Sequence, residues 1–404
     1  MSTQPFNSYT PPLIEDDILE VIRSHGRERK LLMIPGPIEC HEDVLEAMQT
    51  GATSHTDPNF INIFGECLEM LRVVLYSSGQ PFVVAGSGTL SWDMVASNLV
   101  EPGEDILVVS NGFFGDKFAE CFAAYGGSVT CIASKPLGST VTLSEIKKTL
   151  QQRKFKLVAL THVDTSTGVM LDIESVASLI RAVSPESLIV VDGVCSVGCE
   201  SIRMDDWGLD IVVTASQKAI GAPPGLSLLV ASARAIETFK SRKSQPQSYF
   251  AAWHRWIPIM QNYEARKPSY FATPPVQLIM ALNVALKKLL NYGMEKSFSR
   301  HQEVSNVIKD TIQSWGLELV SNSRESSANG LTAIYYPSGI QATDLLPKMA
   351  KRGVMIAGGL HPAIATKYFR IGHMGTSVIQ PDRLHIETLL NALKDSLREC
   401  GFTF

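Results

Sequence analysis

No apolar run in this 404-residue chain approaches the roughly 20 residues that a bilayer-spanning helix needs. Charge of one sign is equally scarce. A formal net charge of −4 and a pI near 6.2 give no electrostatic basis for binding nucleic acid or an anionic membrane, and neither partner is expected. The seven cysteines are few for the length and odd in number, which argues against a disulfide framework. Cys195 and Cys199 are separated by three residues, one too many for the C-x-x-C redox or zinc spacing. The nine histidines contain no H-x-x-x-H pair, so no metal site is expected. Repeats and low-complexity stretches are missing as well. The cysteine usage points to reduced thiols in an intracellular compartment.

What remains has the composition of an ordinary globular protein, 45% hydrophobic and 19% charged. The length suits one large α/β domain and a smaller one. Residues 1–28 begin as a polar tail, and Leu13 to Ser24 carries a short amphipathic pattern. Glu15, Asp16, Asp17 and Glu20 make that pattern acidic, the wrong sign for a mitochondrial transit peptide. An N-terminal arm or helix over residues 1–30 is expected. The final Gly-Phe-Thr-Phe is unlike a Ser-Lys-Leu peroxisomal ending. The cytosol is the expected compartment, with peroxisomal and mitochondrial routes left open.

From residue 31 the chain alternates short apolar, β-branched runs with helical patterns. Strands are expected at 81–85, Ile106–Ser110, Ser128–Ile132, Leu157–Thr161, Leu188–Val191, Ile211–Thr214 and Leu228–Ala231. Continuous apolar strands of this kind belong in a mostly parallel sheet covered on both faces. Helices are expected at about 42–50, 60–77, 88–100 and 275–292, with an irregular aromatic stretch at 242–274. The remainder suggests a smaller α+β domain. It has a helix at 295–315, a strand at Leu331–Tyr336, a helix near 342–352, an edge strand at Tyr368–Gly372 and a closing helix at Arg383–Glu399. The expected division is 31–290 for the large domain and 291–404 for the small one.

Ligands of parallel sheets sit beyond the carboxyl ends of the strands, so the residues just after each strand carry the chemistry. After 81–85 comes Gly86-Ser87-Gly88-Thr89 opening a helix, either a tight turn or a helix start whose free N–H groups suit a phosphate. Ile106–Ser110 is followed by Asn111-Gly112-Phe113-Phe114-Gly115, and Leu157–Thr161 by the hydroxyl-rich His162-Val163-Asp164-Thr165-Ser166-Thr167-Gly168. Asp192 ends a strand of four apolar residues, where desolvation demands a cationic or donor partner unless the carboxylate caps a helix. Lys218 sits in the polar turn 214–225 between two apolar runs. It is either an ordinary surface lysine or a desolvated amine with a lowered pKa, nucleophilic toward aldehydes. His162 and Cys195 are expected to be packed structural residues, as are His373 and Met374.

A lysine, a strand-end acid, an aromatic after glycines and a phosphate-type helix start together fit pyridoxal phosphate. The motifs that carry them are Ile34-Pro35-Gly36-Pro37, Gly86-Ser87-Gly88-Thr89, Asp164-Thr165-Ser166-Thr167-Gly168-Val169, Val191-Asp192, Ser216-Gln217-Lys218 with Ala222-Pro223-Pro224-Gly225, and Arg370-Ile371-Gly372. From about Leu31 to its end the chain resembles the alanine–glyoxylate and serine–pyruvate aminotransferases, class V enzymes of PLP fold type I. That resemblance implies an α/β fold with a seven-stranded, mostly parallel sheet in the large domain and a small α+β domain.

The resemblance also implies roles. Lys218 is the lysine that binds the cofactor and shuttles the proton, and Asp192 keeps the pyridine nitrogen protonated. Ser87, Gly88, Thr89 and Gln217 hold the phosphate, Thr165 the 3′ oxygen, and Val194 packs under the ring. Phe114 stands where many relatives have Trp, and keeps the stacking ring but not the indole N–H. Tyr270 and Thr273 match residues that reach the neighbouring subunit's phosphate site, implying a homodimer. Arg370 matches the arginine that grips the substrate carboxylate, with Pro35 and Gly36 beside the substrate. The implied reaction moves an amino group from L-alanine to glyoxylate, giving pyruvate and glycine. L-serine as donor, a PLP-dependent lyase or desulfurase, and a non-catalytic scaffold dimer are the alternatives.

Overall fold

The computed structural model describes residues 29–404, so the arm or helix expected over residues 1–28 lies outside the described residues. A seven-stranded sheet sets the architecture. Its strands are β1 (Gln80–Ala85), β2 (Asp105–Ser110), β3 (Ser128–Ala133), β4 (Leu157–Thr161), β5 (Leu188–Asp192), β6 (Ile211–Ala215) and β7 (Leu226–Ala231). Across the sheet they run β1-β7-β6-β5-β4-β2-β3. Only β7 is antiparallel to its neighbours, β1 and β6; the other pairings are parallel. Helices cover both faces, which is why the inner strands alternate so little. Ile106 through Val109 and Leu157 through Leu160 are all fully buried.

Two helices start at the edge where ligands of such sheets bind. Helix α1 (Gly88–Leu99) springs from the end of β1, and α2 (Phe113–Ala124) from the end of β2. Both begin at the carboxyl edge of the sheet. Asp192 and the turn carrying Lys218 leave β5 and β6 at that same edge.

The stretch 242–274 is less irregular than its composition suggests. It contains helix α3 (Trp253–Glu264), which buries Trp253, Trp256, Met260 and Tyr263 at helical spacing. Pro258 inside it reads as a breaker in sequence. Packing overrides that signal, and Asn98 of α1 accepts from the Trp253 N–H at 2.8 Å, satisfying one donor at the helix start.

Helices α4 (Val276–Tyr292) and α5 (Met294–Ser314) lead to a three-stranded sheet of β8 (Leu331–Tyr335), β9 (Ala357–Gly358) and β10 (Tyr368–Gly372). Strand β10 is not the edge that its sequence suggests. It lies between β8 and β9, with Arg370 facing Ala333 on one side and Ala357 on the other. Tyr368, Phe369, Ile371 and Gly372 are all buried, and a strand so enclosed needs its backbone groups paired.

The segment before Pro35 is tied to this part of the chain. Leu31 and Leu32 pair in parallel with Val354 and Met355, and Met33 joins the apolar cluster of the closing helix α6 (His385–Glu399). Gly372 then donates to the Met33 carbonyl at 2.8 Å, and Ile38 to the Gln217 carbonyl at 3.2 Å. Pro35 and Gly36 are thereby strapped between β10 and the Lys218 turn. Among the described residues no helix is long and apolar enough to cross a membrane, and no cluster of His, Cys, Asp and Glu is arranged to hold a metal ion.

Candidate active site

A cavity of about 140 Å³ opens at the carboxyl edge of the sheet. Ser87, Gly88, Thr89, Phe114, Thr165, Asp192, Val194, Gln217 and Lys218 line it, so residues from five separate strand ends converge there. Trp92 and Val163 complete the lining. Neither stands out in the sequence. A signal for Trp92 is nonetheless present: it lies four residues beyond Gly88 and three beyond Thr89, on the same face of α1.

Lys218 is not a surface lysine. It is 7% exposed, and burial pushes its pKa down, with the Arg370 guanidinium adding to the effect. Its Nζ donates to the Pro35 carbonyl. Gly36 makes that approach possible. A Cβ there would lie 2.7 Å from the lysine Cδ and Cε, and its φ of +136° is one that side chains rarely adopt.

Asp192 does not cap a helix. Its Oδ1 accepts from the Val194 N–H at 2.9 Å, two residues on, and the chain continues into turns rather than a helix. The carboxyl is 4% exposed. Burial raises its pKa to about 7; the Val194 donor, the Trp92 indole and Lys218 pull down, while the Asp164 carboxyl pushes up.

The helix start at Ser87 is open. Ser87 occupies the N-cap position of α1, yet its side chain makes no capping bond. Gly88 allows the chain to pass close: a Cβ there would meet Ala215 Cβ and Val194 Cγ2, both at 3.1 Å. Next to it the Gln217 side-chain carbonyl is buried without a partner, as is the Trp92 indole N–H. Phe114 is held from below. Asp164 accepts from the Phe114 and Gly115 N–H groups at 2.9 and 3.1 Å, fixing the first turn of α2.

Arg370 lies just outside the cavity lining. Its Nε donates to the Gly358 carbonyl at 2.9 Å and one terminal nitrogen to the Thr165 carbonyl at 3.1 Å. No carboxylate among the described residues pairs with it. Tyr270 and Thr273 are not brought into this cavity. Tyr270 is 62% exposed, and its hydroxyl lies 3.4 Å from that of Thr273. His162, Cys195 and His373 are buried; His373 Nε2 sits 2.8 Å from the Thr332 hydroxyl.

Roomier clefts lie elsewhere, among them one of about 340 Å³ beside His41 and Lys288 and one of about 620 Å³ beside His162 and Glu200. Neither is faced by a buried lysine. The buried lysine and the convergence of five strand ends, rather than volume, single out the smaller cavity.

Comparison with known proteins gives a consistent result. The model of the aminotransferase class-V family matches residues 47–378. Alanine–glyoxylate aminotransferase 1 of Saccharomyces cerevisiae is 43% identical over 379 residues, spanning 91% of this chain and 97% of the yeast protein. L-Aspartate–glyoxylate aminotransferase of Paracoccus denitrificans is 32% identical, covering 85% of this chain and 86% of its own. Among solved structures, alanine–glyoxylate aminotransferase from Nostoc sp. superposes with a TM-score of 0.84 at 30% identity, over 92% of this chain and 96% of that one.

Proposed function

Because the chain belongs to the aminotransferase class-V family, a family of PLP-dependent transaminases, we propose that it moves the amino group of L-alanine to glyoxylate, releasing pyruvate and glycine. The yeast and Paracoccus relatives share glyoxylate in their names and differ in the amino donor; alanine is taken from the 43% identical yeast protein.

The cavity suits pyridoxal phosphate. The uncapped helix start offers free N–H donors to a phosphate, and the buried Asp192 carboxyl lacks a full cationic partner. When bound, that cofactor supplies an aldehyde to carry the amino group and an electron-poor ring to draw charge from the substrate Cα. Ser87, Gly88, Thr89 and Gln217 would hold its phosphate at the start of α1. Asp192 would hold the proton on its ring nitrogen, Thr165 its phenolic oxygen, and Phe114 with Val194 would pack against its ring.

Lys218 moves the proton. With its ammonium disfavoured by burial, Nζ is suited to take a proton from the donor Cα and return one to Cα of the product from glyoxylate. Arg370 binds each substrate carboxylate in turn, beside Pro35 and Gly36. Tyr270 and Thr273 would complete the phosphate site of a second copy. Their exposure and their position outside the cavity of their own chain favour such a homodimer.

The observation that carries this reading is Arg370, a half-buried guanidinium beside Lys218 and Thr165 that donates to two backbone carbonyls and to no carboxylate. An absorption titration tests it. The visible band of the lysine-bound cofactor should disappear on adding L-alanine and return with glyoxylate. A stronger response to L-serine than to L-alanine would overturn the donor assignment. No band after incubation with pyridoxal phosphate would overturn the catalytic reading.

A further inference from the structure

One cavity-lining side chain has a polar atom without a partner and no role in the proposed reaction. Trp92 is 5% exposed and lies on the inward face of α1. Phe118 stacks on its indole at 5.0 Å and 21°, and Phe114 meets it edge-on at 6.4 Å and 70°. These contacts occupy the ring faces and fix its direction. The remaining polar feature is the indole N–H, which is buried and makes no hydrogen bond of normal geometry. A buried indole N–H normally finds an acceptor. The acid lining the same cavity is Asp192, and the indole already lowers the pKa of that carboxyl. Phe114, meanwhile, brings a ring but no N–H to the cavity.

We propose that Trp92 is a positioning residue, whose indole N–H donates to the Asp192 carboxylate when the cofactor is seated. With the Val194 N–H, it then keeps that carboxylate ionised and aimed at the ring nitrogen. This rests on the assignment of the cavity to pyridoxal phosphate. The other groups that face Asp192 are the Asp164 carboxyl, the Lys218 amine after β6 and the Cys195 thiol. Asp164 opposes ionisation of Asp192 and Lys218 favours it. Burial raises the pKa of Cys195, so its thiol adds no charge near neutrality. The indole is the neutral donor that packing alone holds in place.

Cofactor binding through the ring nitrogen needs an ionised Asp192, so affinity falls as pH drops through the Asp192 pKa. Removing a donor raises that pKa and moves the fall to higher pH. Trp92→Phe keeps an aromatic ring and deletes the N–H. Equilibrium dialysis with pyridoxal phosphate from pH 5 to 9 should find affinity weakened about tenfold at pH 7. The acid limb should move up by about one unit. Phe118→Leu, which loosens the same stack and keeps the N–H, should lower the unfolding temperature and leave the limb in place. In an Asp192→Asn background, Trp92→Phe should change affinity less than about twofold.

An unmoved limb in Trp92→Phe, or an equal shift in Phe118→Leu, would reduce Trp92 to packing and overturn the inference. Should Trp92→Phe fail to fold, Trp92→His and Trp92→Met carry the same contrast, one ring with an N–H against a side chain without. Wild-type protein that binds no pyridoxal phosphate at any pH would instead defeat the cofactor reading itself.

Discussion

Two lysines are buried among the described residues, and they are buried for different ends. Lys218 is 7% exposed at the end of β6, and Lys309 is 1% exposed on α5. Burial lowers both ammonium pKa values. Each also has a buried acid in its surroundings with a raised pKa, Asp192 for Lys218 and Glu200 for Lys309. By perturbed titration alone the two regions would rank together. Their hydrogen bonds separate them. Lys309 donates to the Ser327 and Ala328 carbonyls at 3.2 and 2.6 Å, and Asn329 occupies both oxygens of Glu200. The Lys309 amine and the Glu200 carboxylate thus have their partners within the chain, although Glu200 and Asn329 also border the 620 Å³ cleft. Lys218 faces a cavity in which the Gln217 carbonyl and the Trp92 N–H lack partners. A shifted pKa marks a buried charge; a buried amine facing an open space, with unmet groups beside it, marks a site suited to a ligand.

That contrast makes Lys218→Ala the sharpest test. Aminotransfer should fall by about ten-thousand-fold, the upper range for losing a positioned acid–base group, with the unfolding midpoint little changed. A large loss of stability with modest kinetic loss would put Lys218 in the same class as Lys309. Arg370→Ala comes next. KM for both the amino donor and glyoxylate should rise about a hundredfold, as expected for a lost charge-assisted pair, while cofactor stays bound. If KM held and only stability fell, the guanidinium would be a brace between Gly358 and Thr165.

How legible are these regions in the sequence? The seven strands are readable within a residue or two: burial on both faces leaves the inner ones almost no polar residues, and the edge strand β3 keeps a β-branched run despite its exposure. Strand ends are readable too, since β4, β5 and β6 stop where hydroxyls, Asp192 and the Lys218 turn begin. Four things are hidden. Helix α3 is obscured by Pro258 and receives a cap from Asn98, 155 residues away. The central place of β10 depends on Ala357 and Gly358, a two-residue strand with no pattern of its own. Trp92 looks like core because a helix-face tryptophan usually is; only its place in the cavity lining beside Asp192 distinguishes it. Lys309 is invisible for the opposite reason. Its partners are backbone carbonyls, which leave no trace in sequence.

Lys309→Met tests the other side of the comparison. It removes the donor to two buried carbonyls and leaves Glu200 without its nearby cation. Denaturant unfolding should register a loss of about 1–3 kcal/mol, with kcat and KM near wild type. Activity lost in a protein of unchanged stability would mean that the Lys309 cluster communicates with the cavity.

The smallest expected effect is in pH dependence, and it separates the two acids. Without cofactor, burial raises Asp192 from 3.8 to about 7 and Glu200 from 4.5 to about 7. A group whose folded pKa is raised contributes stability that is complete below its unfolded pKa and lost as pH rises through the folded value. Both acids therefore make the protein less stable on going from about pH 5 to pH 8. Lys309, whose pKa is lowered to about 7, acts in the opposite sense: it gains stability as pH rises above its folded value, so it offsets the acids only above about pH 7 and the fall is steepest below that. Saturation with pyridoxal phosphate gives Asp192 a cationic partner and should flatten its share of the slope, leaving that of Glu200. Glu200→Gln should do the reverse, in cofactor-free and loaded protein alike. Unfolding midpoints at pH 5 and pH 8 read both arms. A slope that ignores the cofactor but vanishes in Glu200→Gln would assign the whole titration to Glu200 and remove Asp192 from the site awaiting a ligand.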